Sequence, residues 1–192
     1  SCISSIVVDE NKKNNFVFPM PKLNKKFLPV VFNFKRKYQY LEDISKIYKT
    51  NMYPYLHLFN GALLSQKIIS IVGNVDKSFF MYGDELDYYY RLKKIAPVYS
   101  VLNALHYHPN VNLRKCSEKL IYYYVKNTFI INRKYLSYPN LRNICIFILA
   151  VQRILLRNGL FSLINFLFGP KLILFKSAIR GYQNKLGNDI DK

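Results

Sequence analysis

Helix-like and strand-like runs alternate along residues 53–109, and this alternation constrains the fold more than any other feature. Residues 67–72 predict a short helix that ends at Gly73. Residues 84–95 have the 3.6-residue period of a longer helix, and residues 98–107 alternate in the manner of a strand. Such alternation is typical of an α/β fold.

The flanking segments extend this pattern in both directions. Residues 3–8 form a β-like run that leads to a turn at 9–11, and residues 59–65 are a compact apolar run. Residues 27–34, surrounded by lysines, suit an edge strand or a flexible loop. Helical patterning dominates from Val111 onward. We therefore predict two domains, residues 1–110 with α/β structure and residues 111–192 with helices.

The chain is strongly basic. It has 192 residues with 29 Lys and Arg against 11 Asp and Glu, a net charge of +18. A hydrophobic fraction of 51% with few Gly and Pro is enough for a core, which excludes a disordered or collagen-like chain. The positive excess favours anionic partners, namely nucleic acid, acidic phospholipid or phosphorylated substrates.

Cysteines and the first residues carry little functional information. Cys2, Cys116 and Cys145 are widely spaced, so they indicate neither a disulfide framework nor a zinc module, and a reducing compartment is the simplest expectation. The first residues lack the basic and long apolar regions of a signal peptide. They resemble a buried strand entered in mid-fold, so we expect the chain to be the later part of a longer protein.

Three of the few acidic residues, Asp84, Glu85 and Asp87, lie within one four-residue window. One interpretation is structural: Asp84 caps a helix, Asp87 interacts with the helix dipole, and Asp87 pairs with Arg91 four residues later. The other interpretation is catalytic, with one carboxylate as general base and another orienting an acceptor. The two interpretations are compatible, because a base benefits from a rigidly held helix.

His106 and His108 are two residues apart in a β-like run, so they are expected on the same face. Two such imidazoles can bind a divalent metal or a phosphate, or they can belong to a hydrogen-bond network. His57 has no matching neighbour in the sequence, and we interpret it as structural.

A series of motifs follows in order along residues 53–109. It comprises Phe-Asn-Gly-Ala-Leu-Leu-Ser at 59–65, Ile-Val-Gly at 71–73, Asp-x-x-Phe-Phe at 76–80, the box Asp-Glu-x-Asp at 84–87 with Arg91 after it, and His-Tyr-His-Pro at 106–109. This series resembles the second half of family 2 glycosyltransferases, in particular the rhamnosyltransferase-like and galactofuranosyltransferase-like enzymes of bacterial surface polysaccharide synthesis. Weaker similarities lie at residues 3–14, 123–127, 133–135 and 178–187.

The resemblance implies a fold and a set of site residues. The fold would be the acceptor-side half of a GT-A, Rossmann-like domain followed by C-terminal α-helices. Glu85 is the first candidate for the catalytic base and Asp84 the second. Asp87 would bind the acceptor or be structural, and the other acceptor or substrate contacts would come from Asn60, Gly61 and Arg91. The glycine would let the backbone approach a bound sugar closely.

The resemblance also implies the reaction and its ligands. An inverting transfer would take a sugar from a nucleotide-sugar donor to a glycan or lipid-linked acceptor. A divalent metal, Mg²⁺ or Mn²⁺, would be held by His108, with His106 as the alternative. The family's donor-binding first half, with its Asp-x-Asp motif, has no counterpart here. We interpret the Asp-Ile-Asp at 189–191, in a polar tail, as a chance match.

Residues 143–176 combine long apolar stretches with Arg153, Arg157, Lys171 and Lys176. Helices of this composition can lie in a membrane interface with basic side chains at lipid head groups. They can equally form a hairpin packed on their own domain or on a second subunit. No window has the roughly 18 uninterrupted apolar residues of a spanning helix. Because the resemblance implies a lipid-linked acceptor, we expect a cytoplasmic protein that is peripheral to the inner face of the membrane.

Two other functions compete with the transferase. A nucleic-acid-binding module is suggested by the net charge and by interleaved Tyr and Lys residues at 38–48, but no known nucleic-acid motif is present and the acidic cluster would oppose a phosphate-binding groove. The other is a non-catalytic basic partner that recruits a membrane-associated transferase. We expect no nucleic-acid partner.

Overall fold

A computed structural model describes residues 1–30, 35–110 and 114–190. The chain divides into two compact units. The sheet unit consists of Ser1–Asn74 and Tyr89–Asn112, and the helical unit of Val75–Tyr88 and Leu113–Lys192. The helical unit thus takes in residues 75–88, which the sequence analysis placed with the first domain.

The sheet unit is built on six strands among the described residues. They are β1 (Cys2–Asp9), β2 (Asn15–Pro21), β3 (Lys37–Tyr40), β4 (Met52–Tyr53), β5 (Ala62–Leu64) and β6 (Val98–His108). The strand order is β3-β2-β1-β6-β4, with β5 also paired to β1. Helices α1 (Leu41–Ser45) and α2 (Gln66–Val72) belong to this unit, and α3 (Asp84–Ile95) begins in the helical unit and continues in the sheet unit.

Strands β1 and β6 form the parallel centre of the sheet. Their pairing runs from Cys2 opposite Val98 to Asp9 opposite His108, so both strands end at the same edge. The Ser4 and Ser100 hydroxyls lie 3.0 Å apart in the buried interior, and Ser100 also donates to the Tyr55 carbonyl at 2.7 Å. The buried polar groups of the central pair are therefore satisfied.

The local sequence patterns agree well with these elements. The predicted strands at 3–8 and 98–107 are β1 and β6, the helix at 67–72 is α2, and the helix at 84–95 is α3. Gly73 ends α2 with a φ of 78°, as a glycine after a helix commonly does. The predicted turn at 9–11 is also present, since the Asp9 carboxylate accepts hydrogen bonds from the main-chain N–H groups of Asn11 and Lys12.

Residues 59–65, the compact apolar run of the sequence, form a strand only in part. Only the short β5 is extended, and Phe59 and Leu63 are exposed. The cause is a turn at Gly61, whose φ of 89° lies in the left-handed region that favours glycine. Of the segment 27–34, residues 27–30 form no strand beyond an isolated bridge at Pro29, and residues 31–34 lie outside the described residues.

The helical unit contains α4 (Glu118–Tyr135), α5 (Pro139–Asn158), α6 (Leu160–Phe168) and α7 (Ile173–Tyr182). Twelve consecutive residues of α4, from Ile121 to Asn132, are buried, so this helix is the centre of the unit. Helix α7 packs closely on it, because a Cβ at Gly181 would lie 2.8 Å from the Phe129 Cβ and 2.9 Å from the Lys126 carbonyl oxygen. The predicted dominance of helices beyond Val111 is confirmed.

The end of the chain is not the free polar tail that the sequence suggested. Asp189 is buried, and its carboxylate accepts a 2.5 Å hydrogen bond from the fully buried ammonium of Lys126. Its main-chain N–H donates to the Tyr123 hydroxyl, which in turn donates to the Asn188 side chain. Asp189 is therefore part of the core around α4, while Asp191 lies outside the described residues. Taken together, the described residues form a mixed α/β structure, as predicted.

Candidate functional site

The acidic box lies in the first turn of α3. Asp84 is the first residue of the helix, not the capping residue before it, and Gly83 precedes it with a φ of 96°. The Asp87 N–H donates to the Gly83 carbonyl at 2.8 Å and closes the first turn. All three carboxylates thus lie at the positive end of the helix dipole.

Asp87 is fully buried and serves as an anchor within the helical unit. Its Oδ1 accepts hydrogen bonds from the Lys134 ammonium at 2.8 Å and from the Tyr135 hydroxyl at 2.6 Å. Burial alone would lower the pKa of Lys134, but the hydrogen bonds to Asp87 and Tyr135 outweigh it and raise that pKa. Burial and the hydrogen bond to Asp87 also raise the pKa of Tyr135. These contacts fix the start of α3 to the end of α4.

The loop that precedes the box is fixed by Asn127 of α4. Its side-chain amide donates to the main-chain carbonyls of Phe80 at 3.1 Å and Tyr82 at 2.5 Å. A Cβ at Gly83 would approach both the Asn127 Cβ and the Phe79 ring to 3.0 Å, so this glycine is needed for space as well as for its φ. Phe80 and Tyr82 further pack edge-on against Tyr123 and Tyr124 of α4.

Asp84 and Glu85 remain partly accessible to solvent, in contrast to Asp87. Burial raises the pKa of Tyr82, and Tyr124 and the charge of Glu85 add to this effect while Arg153 opposes it. Glu85 therefore lies within electrostatic range of a buried phenol. A partly accessible carboxylate on a rigidly held helix start is compatible with a general base.

Arg91, Asn60 and Gly61 have structural contacts in the sheet unit. The Arg91 guanidinium donates to the Val72 and Asn74 carbonyls, both at 2.9 Å, and so stabilises the end of α2. The Ser5 hydroxyl donates to the Asn60 carbonyl at 2.8 Å, and a Cβ at Gly61 would lie 2.7 Å from that hydroxyl oxygen. The close approach at Gly61 is thus to β1, and ligand contacts by these residues stay a prediction.

The three histidines of the chain lie close together, since His57 and His108 contact Phe18 and His106 lies next to His108. His106 and His108 lie on one face of β6 with ring centroids 6.3 Å apart, as their spacing predicts. Phe18 contacts the rings of both His108 and His57, each at 5.9 Å. With its proton on Nδ1, His108 donates to the Pro109 carbonyl at 2.7 Å, which leaves the Nε2 lone pair as an acceptor.

These residues do not by themselves form the ligand set of Mg²⁺ or Mn²⁺. Among the described residues, no group of three or more His, Cys, Asp or Glu side chains is placed to hold a metal ion. Both ions prefer oxygen ligands, whereas His108 and His106 supply nitrogen. The metal stays a prediction of the resemblance, and the mechanism proposed below assigns no step to it.

A cavity of about 660 Å³ in the sheet unit lies at the beginning of β6, away from the predicted site residues of that unit. Its walls are largely apolar and include Phe27, Met52, Pro54 and Val98. Lys93 lines it as well, with its ammonium bonded to the Phe27 carbonyl, and burial lowers the pKa of this lysine. None of the eight predicted site residues borders the cavity.

Three residues that position the box were not selected as site residues from the sequence. They are Asn127, Lys134 and Tyr135, which the sequence analysis noted only as weak similarities in α4. One feature of the sequence could have indicated them: polar side chains interrupt the apolar and aromatic residues of α4. Polar groups that are buried in such a helix need hydrogen-bond partners.

His57 predicts a loss of stability on mild acidification. Burial and the charge of Lys37 lower the pKa of His57 to about 4, against an ordinary value of 6.5, although a hydrogen bond with the Phe18 backbone opposes the shift. The imidazole therefore binds a proton more readily in the unfolded chain than in the folded one. The free energy of unfolding should be unaffected by this group above about pH 6.5, and it should fall by about 3 kcal/mol as the pH is lowered to about 4. Urea titrations across this range should show the loss.

The variant His57→Gln is the control for that prediction. Glutamine cannot take up the proton. Between about pH 6.5 and pH 4, the variant should therefore avoid most of the loss in the free energy of unfolding that is expected for wild type. Asp9, whose pKa is lowered by its hydrogen bonds to Asn11 and Asn110, acts only at lower pH. Equal slopes for wild type and His57→Gln would show that His57 does not cause the acid sensitivity.

No protein-family model, curated protein or solved structure matches this chain.

Proposed function

We propose that the chain is the acceptor-side part of an inverting glycosyltransferase with a GT-A fold, which uses a nucleotide-sugar donor in the synthesis of a bacterial surface polysaccharide. The observation that carries the proposal is the difference in burial and contacts among the three carboxylates of the acidic box. Asp87 is buried and bound by Lys134 and Tyr135, while Asp84 and Glu85 on the same helical turn remain partly accessible.

In the proposed reaction, the Glu85 carboxylate takes the proton of an acceptor hydroxyl as the oxygen attacks the anomeric carbon of the donor sugar. The bond from that carbon to the diphosphate breaks, and the nucleoside diphosphate leaves with the electron pair, which inverts the anomeric centre. Glu85 has one methylene more than Asp84, which gives its carboxylate the longer reach. Asp84 is the second candidate for the base.

The remaining assignments are part of the same proposal. Asn60, Gly61 and Arg91 keep their predicted acceptor or substrate contacts in this proposal, in addition to their structural contacts. His108, or else His106, would form a hydrogen bond to the diphosphate. The acceptor is a glycan or a lipid-linked saccharide, and the protein works at the cytoplasmic face of the membrane.

The experiment is a transfer assay in the cells that carry the gene. Membranes from a strain without the chromosomal copy, complemented with the wild-type gene or with an empty plasmid, are supplied with a panel of radiolabelled nucleotide sugars. We expect one donor to give label in a glycan or glycolipid only with the wild-type gene. Equal incorporation with the empty plasmid across the panel would contradict the proposal.

The alternative is a non-catalytic basic module or transferase partner, and the net charge of +18 is the observation that favours it. An Asp84→Asn/Glu85→Gln double variant separates the two functions. An enzyme should lose transfer, whereas a module that acts through its charge should still support transfer and bind polynucleotide or lipid.

A further inference from the structure

The helical unit exposes apolar side chains in a regular pattern on α5. Leu141, Ile144, Ile148 and Leu155 are all exposed, and they are separated by three, four and seven residues. This spacing places them in one stripe along the helix. Arg142, Ala150 and Ile154 are buried instead. The helix therefore exposes an apolar stripe, whereas the exposed face of a surface helix in a water-soluble protein is polar.

Helices α6 and α7 repeat the pattern. The exposed stripe of α6 contains Phe161, Ile164 and Phe168, and that of α7 contains Phe175 and Ile179, with Leu172 directly before the helix. The side chain of Phe161 is exposed over 92% of its surface. These residues again have helical spacing.

The stripes join into one surface at an aromatic cluster. The ring of Phe175 in α7 lies 6.3 Å from that of Phe168 in α6 and 5.9 Å from that of Phe147 in α5, measured between centroids. We call the exposed residues of the three stripes, together with Leu156 and Leu160, the apolar face. A continuous exposed apolar surface of this kind marks an interaction site.

The helices that carry the apolar face have charged residues of one sign. From Pro139 to Tyr182 the sequence contains six Arg and Lys residues and no Asp or Glu. Lys171, Lys176 and Arg180 line a groove of about 560 Å³ whose apolar wall includes Leu172, Phe175 and Ile179. Some of these charges are partly compensated, since Lys171 pairs with Glu118 at 2.8 Å on the surface, where ion pairs are weak.

We infer that the apolar face docks on a bilayer that contains anionic phospholipid, with α5, α6 and α7 lying in the plane of the interface. An apolar stripe enters the acyl boundary, and the basic groove on α7 receives phosphate head groups. The absence of acidic residues from these helices selects an anionic lipid surface over a second copy of the same basic segment, because like charges would meet in the latter case. This inference does not depend on the proposed glycosyl transfer.

In-plane docking also suits the arginines of α5. By length and composition, α5 is the one helix among the described residues that could cross a membrane, and α6 and α7 would pass the same criterion only as one span bent by 49°. Arg153 and Arg157, which are partly exposed, make crossing costly for α5. Lying in the interface, the helix keeps these charges near head groups and water, and the Arg153 guanidinium lies 4.5 Å from the centroid of the Tyr124 ring.

Vesicle binding of the full chain tests the inference. Wild type is sedimented with vesicles of phosphatidylcholine alone or with added phosphatidylglycerol, beside Leu156→Glu/Phe161→Glu and the control Ile47→Glu/Ile71→Glu. All four replaced side chains are exposed, and both double variants change the net charge equally. Wild type and control should bind phosphatidylglycerol vesicles, and Leu156→Glu/Phe161→Glu should bind at least about tenfold more weakly.

Four results would overturn the inference. Wild type would fail to bind either kind of vesicle, or the two double variants would bind equally, which would indicate attraction by charge alone. A third result would be a dimer of wild type in the absence of lipid. If Leu156→Glu/Phe161→Glu abolished this dimer, a second copy of the chain would be identified as the occupant of the apolar face. Lastly, bound protein would resist release by concentrated salt and alkaline carbonate, which would indicate a spanning helix.

A fluorescent probe on the apolar face gives a second readout. The chain contains no tryptophan, so Phe161→Trp introduces a single indole that reports on this position alone. Brominated lipids should quench it in phosphatidylglycerol vesicles and leave an indole introduced by Ile71→Trp unquenched. Equal quenching of the two indoles would also overturn the inference.

Discussion

Replacing Asp189 by alanine is expected to lower the free energy of unfolding of the helical unit by about 3–5 kcal/mol. The reason is the ammonium of Lys126, which is fully buried and has Asp189 at 2.5 Å and the Gly187 carbonyl at 2.9 Å as hydrogen-bond acceptors. Burial already lowers the pKa of Lys126 despite the carboxylate. Without Asp189 the buried charge loses its counter-ion, and guanidinium titration followed by far-ultraviolet circular dichroism measures the cost.

The double variant Lys126→Met/Asp189→Leu is the matched control. Replacement of a buried ion pair by apolar side chains of similar size is often nearly neutral, so we expect it to recover most of the stability that Asp189→Ala loses. A stability of Asp189→Ala within about 1 kcal/mol of wild type would show that the pair is not buried as described.

Replacing Glu85 by glutamine is expected to lower sugar transfer by about 100-fold to 10,000-fold, the range associated with loss of a general base. Glutamine keeps the size and hydrogen-bonding capacity of the side chain but cannot accept the acceptor proton. Because Glu85 is partly exposed and not the anchor of α3, the variant should unfold at the temperature of wild type. Labelled product formed in complemented membranes measures the transfer.

Asp87→Asn provides the contrasting variant on the same helical turn. Its carboxylate is the acceptor for Lys134 and Tyr135, so the substitution should lower the stability of the helical unit. A loss of activity in Asp87→Asn is therefore expected to come with a lower melting temperature, whereas in Glu85→Gln it is not.

Elements with a strong local pattern could be predicted from the sequence. Helix α3 occupies the predicted residues, and α2 and β6 each extend one residue beyond the prediction, because periodicity and a terminal glycine are local signals. The apolar run at 59–65 did not indicate the turn within it. The turn at Gly61 depends on its contact with Ser5, which is 56 positions earlier in the chain and leaves no local pattern.

The support of the candidate site could not be predicted for the same reason. Asn127 holds the carbonyls of Phe80 and Tyr82 from more than 40 residues away, and Asp87 meets Lys134 and Tyr135 at similar separations. Asp189 looked like part of a solvated tail because its neighbours in the sequence are polar. Its partner, Lys126, could only be found once α4 and the end of the chain were placed together.

The ratio of sugar transfer between Glu85→Gln and Glu42→Gln tests the proposed function most directly. Glu42 is an exposed glutamate in the first turn of α1, so its substitution makes the same chemical change at the same kind of position. We expect transfer by Glu42→Gln within about twofold of wild type, and transfer by Glu85→Gln at least about 100-fold lower with an unchanged melting temperature. Equal transfer by the two variants would contradict the proposed function.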